Sequence, residues 1–160
     1  MHPRAIALIK LLSLAPHPEG GFFREIFRSS SIVSSSTGLR RTAITSIYYL
    51  IPAGQVSKFH RVASDEIWHY LEGEPLELYT LDPSLATLET HLLGRTSDKT
   101  QPIQVVLASF WQAAMPTGAF TLAGCTVGPG FEYEDSVMLA DDGGLRERVG
   151  ARFPSIAKLL

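Results

Sequence analysis

The stretch over residues 54–73, GQVSKFHRVASDEIWHYLEG, most constrains what this 160-residue chain can fold into. It places His60 and Glu66 in two segments of β-strand composition, with the turn-prone residues 63–65 between them. Side chains alternate faces along a strand, so a hairpin turn here can bring both groups onto one inner face. The sequence therefore predicts a functional site built on strands.

Most of the remaining chain also has strand composition. We predict strands at residues 22–28, 42–50, 56–62, 66–71, 76–81, 87–93, 103–107, 110–114, 119–127 and, more weakly, 132–139. A short amphipathic helix is expected at 4–14, a polar loop at 29–38 and a helical turn at 155–160. Short strands at this spacing favour an all-β antiparallel barrel or sandwich. With no linker visible, we expect one domain over 1–160, with its core at about 11–140.

Composition excludes several classes of function. The net charge is −2 and no basic stripe is present, so nucleic acid is not expected as a partner. The apolar run at residues 6–14 is too short to span a membrane. Cys125 is the single cysteine, which is compatible with a reducing, cytoplasmic location. It lies in an apolar strand and is expected to be a buried, inert thiol.

Strand alternation predicts the neighbours of the two central residues. Lys58 is expected to share the face of His60, and Trp68 and Tyr70 that of Glu66. Together they would form a pocket with an aromatic wall, a cation and an acid–base pair, suited to a small anionic or ring-shaped molecule. Plain core packing explains the two aromatic residues equally well.

Further binding candidates lie outside this stretch. Tyr48 and its neighbour Tyr49 point to opposite faces, and one of them should line the barrel. The segment HPEGG at residues 17–21 is expected to fix a turn at a subunit interface. Glu19 within it and Arg24 just after it are the residues that can reach a ligand. His69 is expected to face away from the pocket.

The spacing within residues 54–73 resembles the first motif of the cupin superfamily, G-x5-H-x-H-x3-E-x6-G, with Val62 in place of the second histidine. The second cupin motif, P-x-G-x2-H, aligns poorly with residues 107–112, where Gln112 replaces the histidine. Further segments resemble one branch of small single-domain cupins of largely unknown function, between about residues 11 and 139: HPEGG, IYYL, SDEIW, WQAA and GCTVGPGF.

This resemblance implies a jelly-roll barrel and a homodimer in which N-terminal strands cross between subunits. The branch is similar to sugar-nucleotide epimerase-like cupins. It also includes an isomerase that moves a ring double bond of a prephenate-derived keto acid in aeruginosin-type peptide biosynthesis. Because cupins host many reactions, the resemblance specifies the fold better than the activity.

The resemblance also implies a metal site. His60, Glu66 and Gln112 would be its ligands, holding a divalent ion weakly because two of the usual four ligands are replaced. Without a metal, the histidine and the glutamate can still move protons.

The expected function is that of a small-molecule isomerase or epimerase acting next to a carbonyl group of a keto acid or sugar. Glu66 or His60 would remove a proton, and Lys58, Gln112 or a weakly held metal would stabilise the enolate oxygen. Two alternatives stay open at this stage. One is a non-catalytic cupin that binds a sugar-like molecule, and the other is a metal-dependent dioxygenase.

Overall fold

A computed structural model describes residues 1–34 and 38–160. Two antiparallel β-sheets pack into a barrel, with helices at both ends of the chain. The expected all-β jelly-roll barrel is therefore confirmed. The predicted loop at 29–38 contains a short strand at Ile32–Ser34, and its residues 35–37 lie outside the described part of the chain.

The described strands, in chain order, are β1 (Ala15–Pro16), β2 (Phe22–Arg28), β3 (Ile32–Ser34), β4 (Arg40–Thr42), β5 (Thr45–Pro52), β6 (Ser57–Arg61), β7 (Asp65–Gly73), β8 (Leu76–Leu81), β9 (Leu88–Leu93), β10 (Ile103–Val106), β11 (Trp111–Pro116), β12 (Phe120–Gly128) and β13 (Val137–Met138). In the same described part of the chain, the α-helices are α1 (Pro3–Leu11) and α2 (Gly143–Arg152), and the 3₁₀ segments are Tyr133–Asp135, Leu139–Asp141 and Pro154–Leu159. Across the described residues, no helix has the length and apolar character needed to cross a membrane.

The strand order in the larger sheet is β1-β2-β5-β12-β7-β10. The smaller sheet has the order β13-β6-β11-β8-β9, and β3 and β4 form a separate hairpin. Between the sheets lies a core that includes Tyr49, Trp68 and Leu78. A second core forms where Val149, Ile156 and other residues after β13 pack beside Phe59 and related residues of the smaller sheet. This contact is hard to predict from the sequence, because α2 is polar and Val149 is its one described buried residue.

His60 and Glu66 do not lie on a hairpin, and that expectation was wrong. β6 pairs with β11 and β13, whereas β7 pairs with β12 and β10. Residues 62–64 therefore carry the chain from one sheet to the other, with Val62 and Ser64 buried at the crossing. The two side chains still meet in the interior, but they come from opposite walls.

Two predicted strands are also interrupted. The segment 42–50 is divided, because β4 ends at Thr42 and β5 begins at Thr45. The segment 132–139 is 3₁₀ helix and irregular chain, with only the two residues of β13 paired as strand. Strand propensity alone does not reveal either interruption, because hydrogen bonds to other segments of the chain determine where a strand is paired.

The turn at residues 17–21 is built by glycines against β6. Gly20 and Gly21 have φ angles of +113° and +73°, a region that side chains with a Cβ rarely enter. The backbone N–H of Lys58 donates to the Glu19 carbonyl at 3.1 Å, and Gly21 N–H donates to the Gln55 side chain at 3.0 Å. These contacts carry Glu19 into the barrel interior.

Replacing Gly20 with alanine is expected to cost about 3 kcal/mol of folding free energy, because strain and a clash add together. The new Cβ would lie 2.1 Å from the Val56 carbonyl oxygen. Gly54→Ala is the matched control: its φ is +82°, but nothing lies within 4 Å of the added carbon. We expect about 1 kcal/mol for the control. Urea unfolding measures both costs, and equal values would contradict the proposed clash.

Candidate acid–base site

A cavity opens between the two sheets, with an empty volume of about 640 Å³ including its mouth. Its ionisable inner groups are His17, Glu19, His60 and Glu66, and Tyr49 and Trp68 form part of the wall. Both carboxyl groups and His60 are buried. The cavity therefore gathers acid–base groups from β6, from β7 and from the turn before β2.

Glu19 and His60 form a close pair. The Nδ1 atom of His60 lies 3.2 Å from Oε2 of Glu19 and 2.8 Å from the Lys58 carbonyl oxygen. A carbonyl oxygen only accepts hydrogen bonds, so Nδ1 carries the proton and Nε2 is the basic atom of the neutral ring. The Ser57 hydroxyl donates to the same Glu19 oxygen at 3.1 Å.

Glu66 is held by a buried chain of hydrogen bonds. Gln112 Nε2 donates to Glu66 Oε2 at 2.6 Å, and Trp68 Nε1 donates to Gln112 Oε1 at 3.0 Å. Gln112 and Trp68 are both inaccessible to solvent. Because each polar atom in the chain has a partner, the carboxyl group has one defined orientation.

Burial raises the pKa of both carboxyl groups. For Glu19 and Glu66 alike, loss of solvent is the largest cause, and the nearby His60 opposes part of it. Glu19 raises the pKa of Glu66 further, since two close negative charges repel. A raised pKa brings a carboxyl group nearer to the range in which it can both take and release a proton.

His17 is a neutral member of the site. Burial, and then the nearby His60, lower its pKa to about 4. Its Nδ1 atom accepts a hydrogen bond from the Glu19 backbone N–H at 3.2 Å. The proton of the neutral ring is therefore on Nε2, which leaves that atom as a hydrogen-bond donor. The ring packs against Phe23 and Tyr49, with centroid distances of 4.5 and 4.9 Å.

Lys58 does not line the cavity, contrary to the alternation argument. Along β6, Ser57 and His60 pair with Ala114 and Gln112 of β11, so β6 has one residue more than its partner strand. This bulge turns both Ser57 and His60 inward and leaves Lys58 exposed. Only its backbone takes part in the site.

The other candidates divide between the interior and the outer surface. Trp68 lines the cavity, whereas Tyr70 packs on the neighbouring core and donates to the Gly73 carbonyl at 2.6 Å. Of the two adjacent tyrosines, Tyr49 and not Tyr48 lines the cavity. Arg24 lies outside with Tyr48, its guanidinium 5.9 Å from that ring.

Cys125 lines the cavity beside Glu66. It is buried, and burial followed by the negative charge and hydrogen bond of Glu66 raises the pKa of its thiol well above the usual value. The thiol is therefore a neutral donor to the carboxyl group and a poor nucleophile.

Arg28 lies at the mouth of the cavity. Its guanidinium bonds to both Glu25 oxygens at 2.9 and 3.0 Å, to Glu132 at 2.6 Å and to the Phe131 carbonyl at 3.1 Å. Sequence reasoning missed Arg28 and Glu25, because a bulge between Glu25 and Phe27 changes the alternation of β2. It also missed His17, although this histidine begins the HPEGG motif that contains Glu19.

The predicted metal ligands do not form a fitting set. A metal would need the amide oxygen of Gln112, but that oxygen accepts from Trp68 and the amide nitrogen faces Glu66. No cluster of three or more His, Cys, Asp or Glu side chains in the described residues is arranged to hold an ion.

Elemental mass spectrometry of tag-free protein is therefore expected to find well under one transition metal ion per chain. The content should be the same in the Glu66→Gln variant. Near-stoichiometric metal that falls in the variant would contradict this assignment of the Gln112 amide.

Solved structures of similar sequence share the whole fold. A hypothetical protein from Leishmania major is 29% identical, with a TM-score of 0.84 over 97% of this chain and 95% of that chain. A protein from Shewanella oneidensis is 32% identical, with a TM-score of 0.81 over 96% and 92% of the two chains.

More distant structures share the fold alone. Oxalate decarboxylase of Bacillus subtilis is 13% identical with a TM-score of 0.58, and this chain spans 37% of its length. The capsular polysaccharide assembling protein CapF of Staphylococcus aureus is 8% identical with a TM-score of 0.59, and this chain spans 31% of it. No curated protein matches the sequence.

The family comparison agrees with the barrel and with the motif around His60 and Glu66. The family model described as "Cupin superfamily (DUF985)" matches residues 6–139. This match covers most of the chain, and the chain therefore belongs to the DUF985 family of the cupin superfamily.

Proposed function

We propose that the protein is an isomerase or epimerase that moves a proton next to a carbonyl group of a small oxygenated metabolite. One observation carries the proposal: two buried carboxyl groups, Glu19 and Glu66, enter one cavity from opposite walls, and His60 interacts with both. Burial of two acids in one cavity is costly, so such an arrangement is typical of functional sites.

Glu66 is the base in this scheme. Its ionised form would break a C–H bond next to the carbonyl and take the proton, and the bonding electrons would move onto the carbonyl oxygen as an enolate. Gln112 holds the carboxyl group in place by the 2.6 Å hydrogen bond. The raised pKa makes the carboxylate a stronger base than an exposed glutamate.

The Glu19–His60 pair supplies the second proton transfer. Nε2 of a protonated His60 would deliver a proton to a different carbon, or to the opposite face of the same carbon. Glu19, 3.2 Å from Nδ1, stabilises the imidazolium that precedes this step. Two acid–base groups on opposite walls suit both an isomerisation and an epimerisation.

His17 is suited to stabilise the enolate oxygen. A neutral imidazole with its proton on Nε2 donates a hydrogen bond to the developing negative charge without competing for a proton. This role replaces the one that Lys58 and Gln112 were expected to have, since Lys58 is outside and the Gln112 amide is engaged.

Proton exchange with solvent tests the proposal directly. The protein is incubated in D₂O with a panel of hydroxy ketones, aldoses and keto acids, and proton NMR follows loss of the signal next to each carbonyl. At least one compound is expected to exchange in proportion to protein concentration. Binding without exchange by any bound compound would instead support the non-catalytic cupin.

The homodimer and the cytoplasmic location stay predictions. Light scattering, which gives the mass of the protein in solution, tests the homodimer.

A further inference from the structure

We infer that the ligand presents hydrogen-bond donors, hydroxyl or ammonium groups, to the inner end of this cavity, and that a carboxylate-bearing molecule is not its substrate. The inference deepens the proposed function, on which it rests for the carbonyl chemistry. It narrows the substrate class to uncharged or amine-bearing α-hydroxy carbonyl compounds.

The charges of the inner cavity disfavour a ligand carboxylate. Glu19 and Glu66 are both buried there, and among the described lining residues the nearest basic groups are the imidazoles of His17 and His60. His17 is neutral, and His60 already has Glu19 as its partner. A ligand carboxylate would bring its negative charge beside both carboxyl groups in a site of low dielectric, where like charges repel strongly.

The hydrogen-bonding groups of the inner cavity favour a ligand that donates. Four donor groups around the inner cavity bond to the protein itself: Tyr49 donates to the Gly20 carbonyl at 2.8 Å, Ser57 to Glu19, Gln112 to Glu66 and Trp68 to Gln112. Toward a ligand, the inner end of the cavity presents mainly acceptors, namely the oxygens of the two carboxyl groups. A ligand that fills the cavity separates these oxygens from water and must supply donors in its place, because an unpaired polar group in such a site is costly.

The cation at the mouth does not change this balance. Arg28 is bonded to Glu25, Glu132 and the Phe131 carbonyl, so its charge is already neutralised by two carboxylates. A ligand carboxylate would have to displace these partners to gain a contact.

Neutral donors remain for a carbonyl oxygen. His17 has its Nε2–H, and the Thr45 hydroxyl, which accepts from the Phe131 N–H at 2.9 Å, still has its own proton. A carbonyl oxygen needs one or two such donors, whereas a carboxylate needs more or a cation. Trp68 and Tyr49, with ring centroids 5.8 Å apart, offer an apolar wall to a ring or an ammonium group.

Two sets of probes of matched shape test the inference at pH 8 by ligand-observed NMR titration. The first set is D-galactose, D-galactosamine and D-galacturonate, and the second is benzyl alcohol, benzylamine and benzoate. In each set we expect the carboxylate to bind at least tenfold more weakly than the uncharged or the amine member. A carboxylate that binds as tightly as its uncharged partner would overturn the inference, and so would failure of all six probes to bind.

Variants locate the effect in the two carboxyl groups. Glu19→Gln and Glu66→Gln should each reduce the difference in affinity between carboxylate and uncharged probes. The double variant should reduce that difference below threefold. Glu89→Gln is the matched control, because Glu89 is 62% exposed and lies outside the cavity. An unchanged difference in both single variants would contradict the inference.

Exchange in D₂O separates this inference from the proposed function. If donor-bearing ligands bind but no bound compound exchanges protons, the isomerase fails and the ligand class stands. If only keto acids exchange, the isomerase stands and the ligand class fails.

Discussion

Glu66→Gln is expected to lower kcat of the proposed proton transfer by about a thousandfold, with ligand affinity changed only a few-fold. The variant removes the base but keeps its shape. Gln112 can still donate to the new amide oxygen as it does to Glu66 Oε2. Loss of binding alone, with kcat unchanged, would show that the residue holds the ligand and does not remove the proton.

The same variant is expected to fold at least as stably as the natural chain at pH 8. A carboxyl group whose pKa is raised by burial is destabilising once the pH exceeds its unfolded value of about 4.3, and the penalty grows until the folded pKa is passed. Glutamine carries no such penalty. Glu89→Gln, on the exposed surface, serves as the control and should change neither kcat nor stability. If Glu66→Gln is less stable than the natural chain, its loss of activity would reflect unfolding and would not support a catalytic role for Glu66.

The second large effect concerns acid stability and depends on His17. Its pKa is about 4 in the folded chain, against about 6.5 in an unfolded one. The unfolded state therefore binds a proton first as the pH falls. Stability from this group is fully present above pH 6.5 and is lost progressively between about 6.5 and 4, by about 3 kcal/mol in total.

Urea unfolding of the natural chain and of His17→Gln between pH 4 and 7 measures this effect. The variant loses ring contacts with Phe23 and Tyr49, so its absolute stability is lower, but the difference between the two proteins should shrink by about 3 kcal/mol as the pH falls. The raised pKa values of Glu19 and Glu66 act on stability in the opposite direction, and their contribution cancels in this comparison because both proteins contain these residues. A constant difference at all pH values would contradict a buried, neutral His17.

The strands were largely accessible to sequence reasoning, because alternation and β-branched composition act locally. β2 and β8 have the predicted ends, and the strands that carry His60, Glu66 and Gln112 all exist. Helix α2 was missed because one buried valine leaves too weak a pattern. The single domain over 1–160 stays a prediction. The family match covers residues 6–139 of it.

The sequence by itself determined the barrel class and the residues from which a site can be made, since both depend on local composition and spacing. Only the tertiary structure decided which of these residues meet. The bulge in β6 turned Lys58 outward, the crossing at 62–64 placed His60 and Glu66 on opposite sheets, and the glycine turn brought Glu19 against His60. These contacts join residues far apart in the chain through non-local pairing and packing, which strand periodicity does not encode.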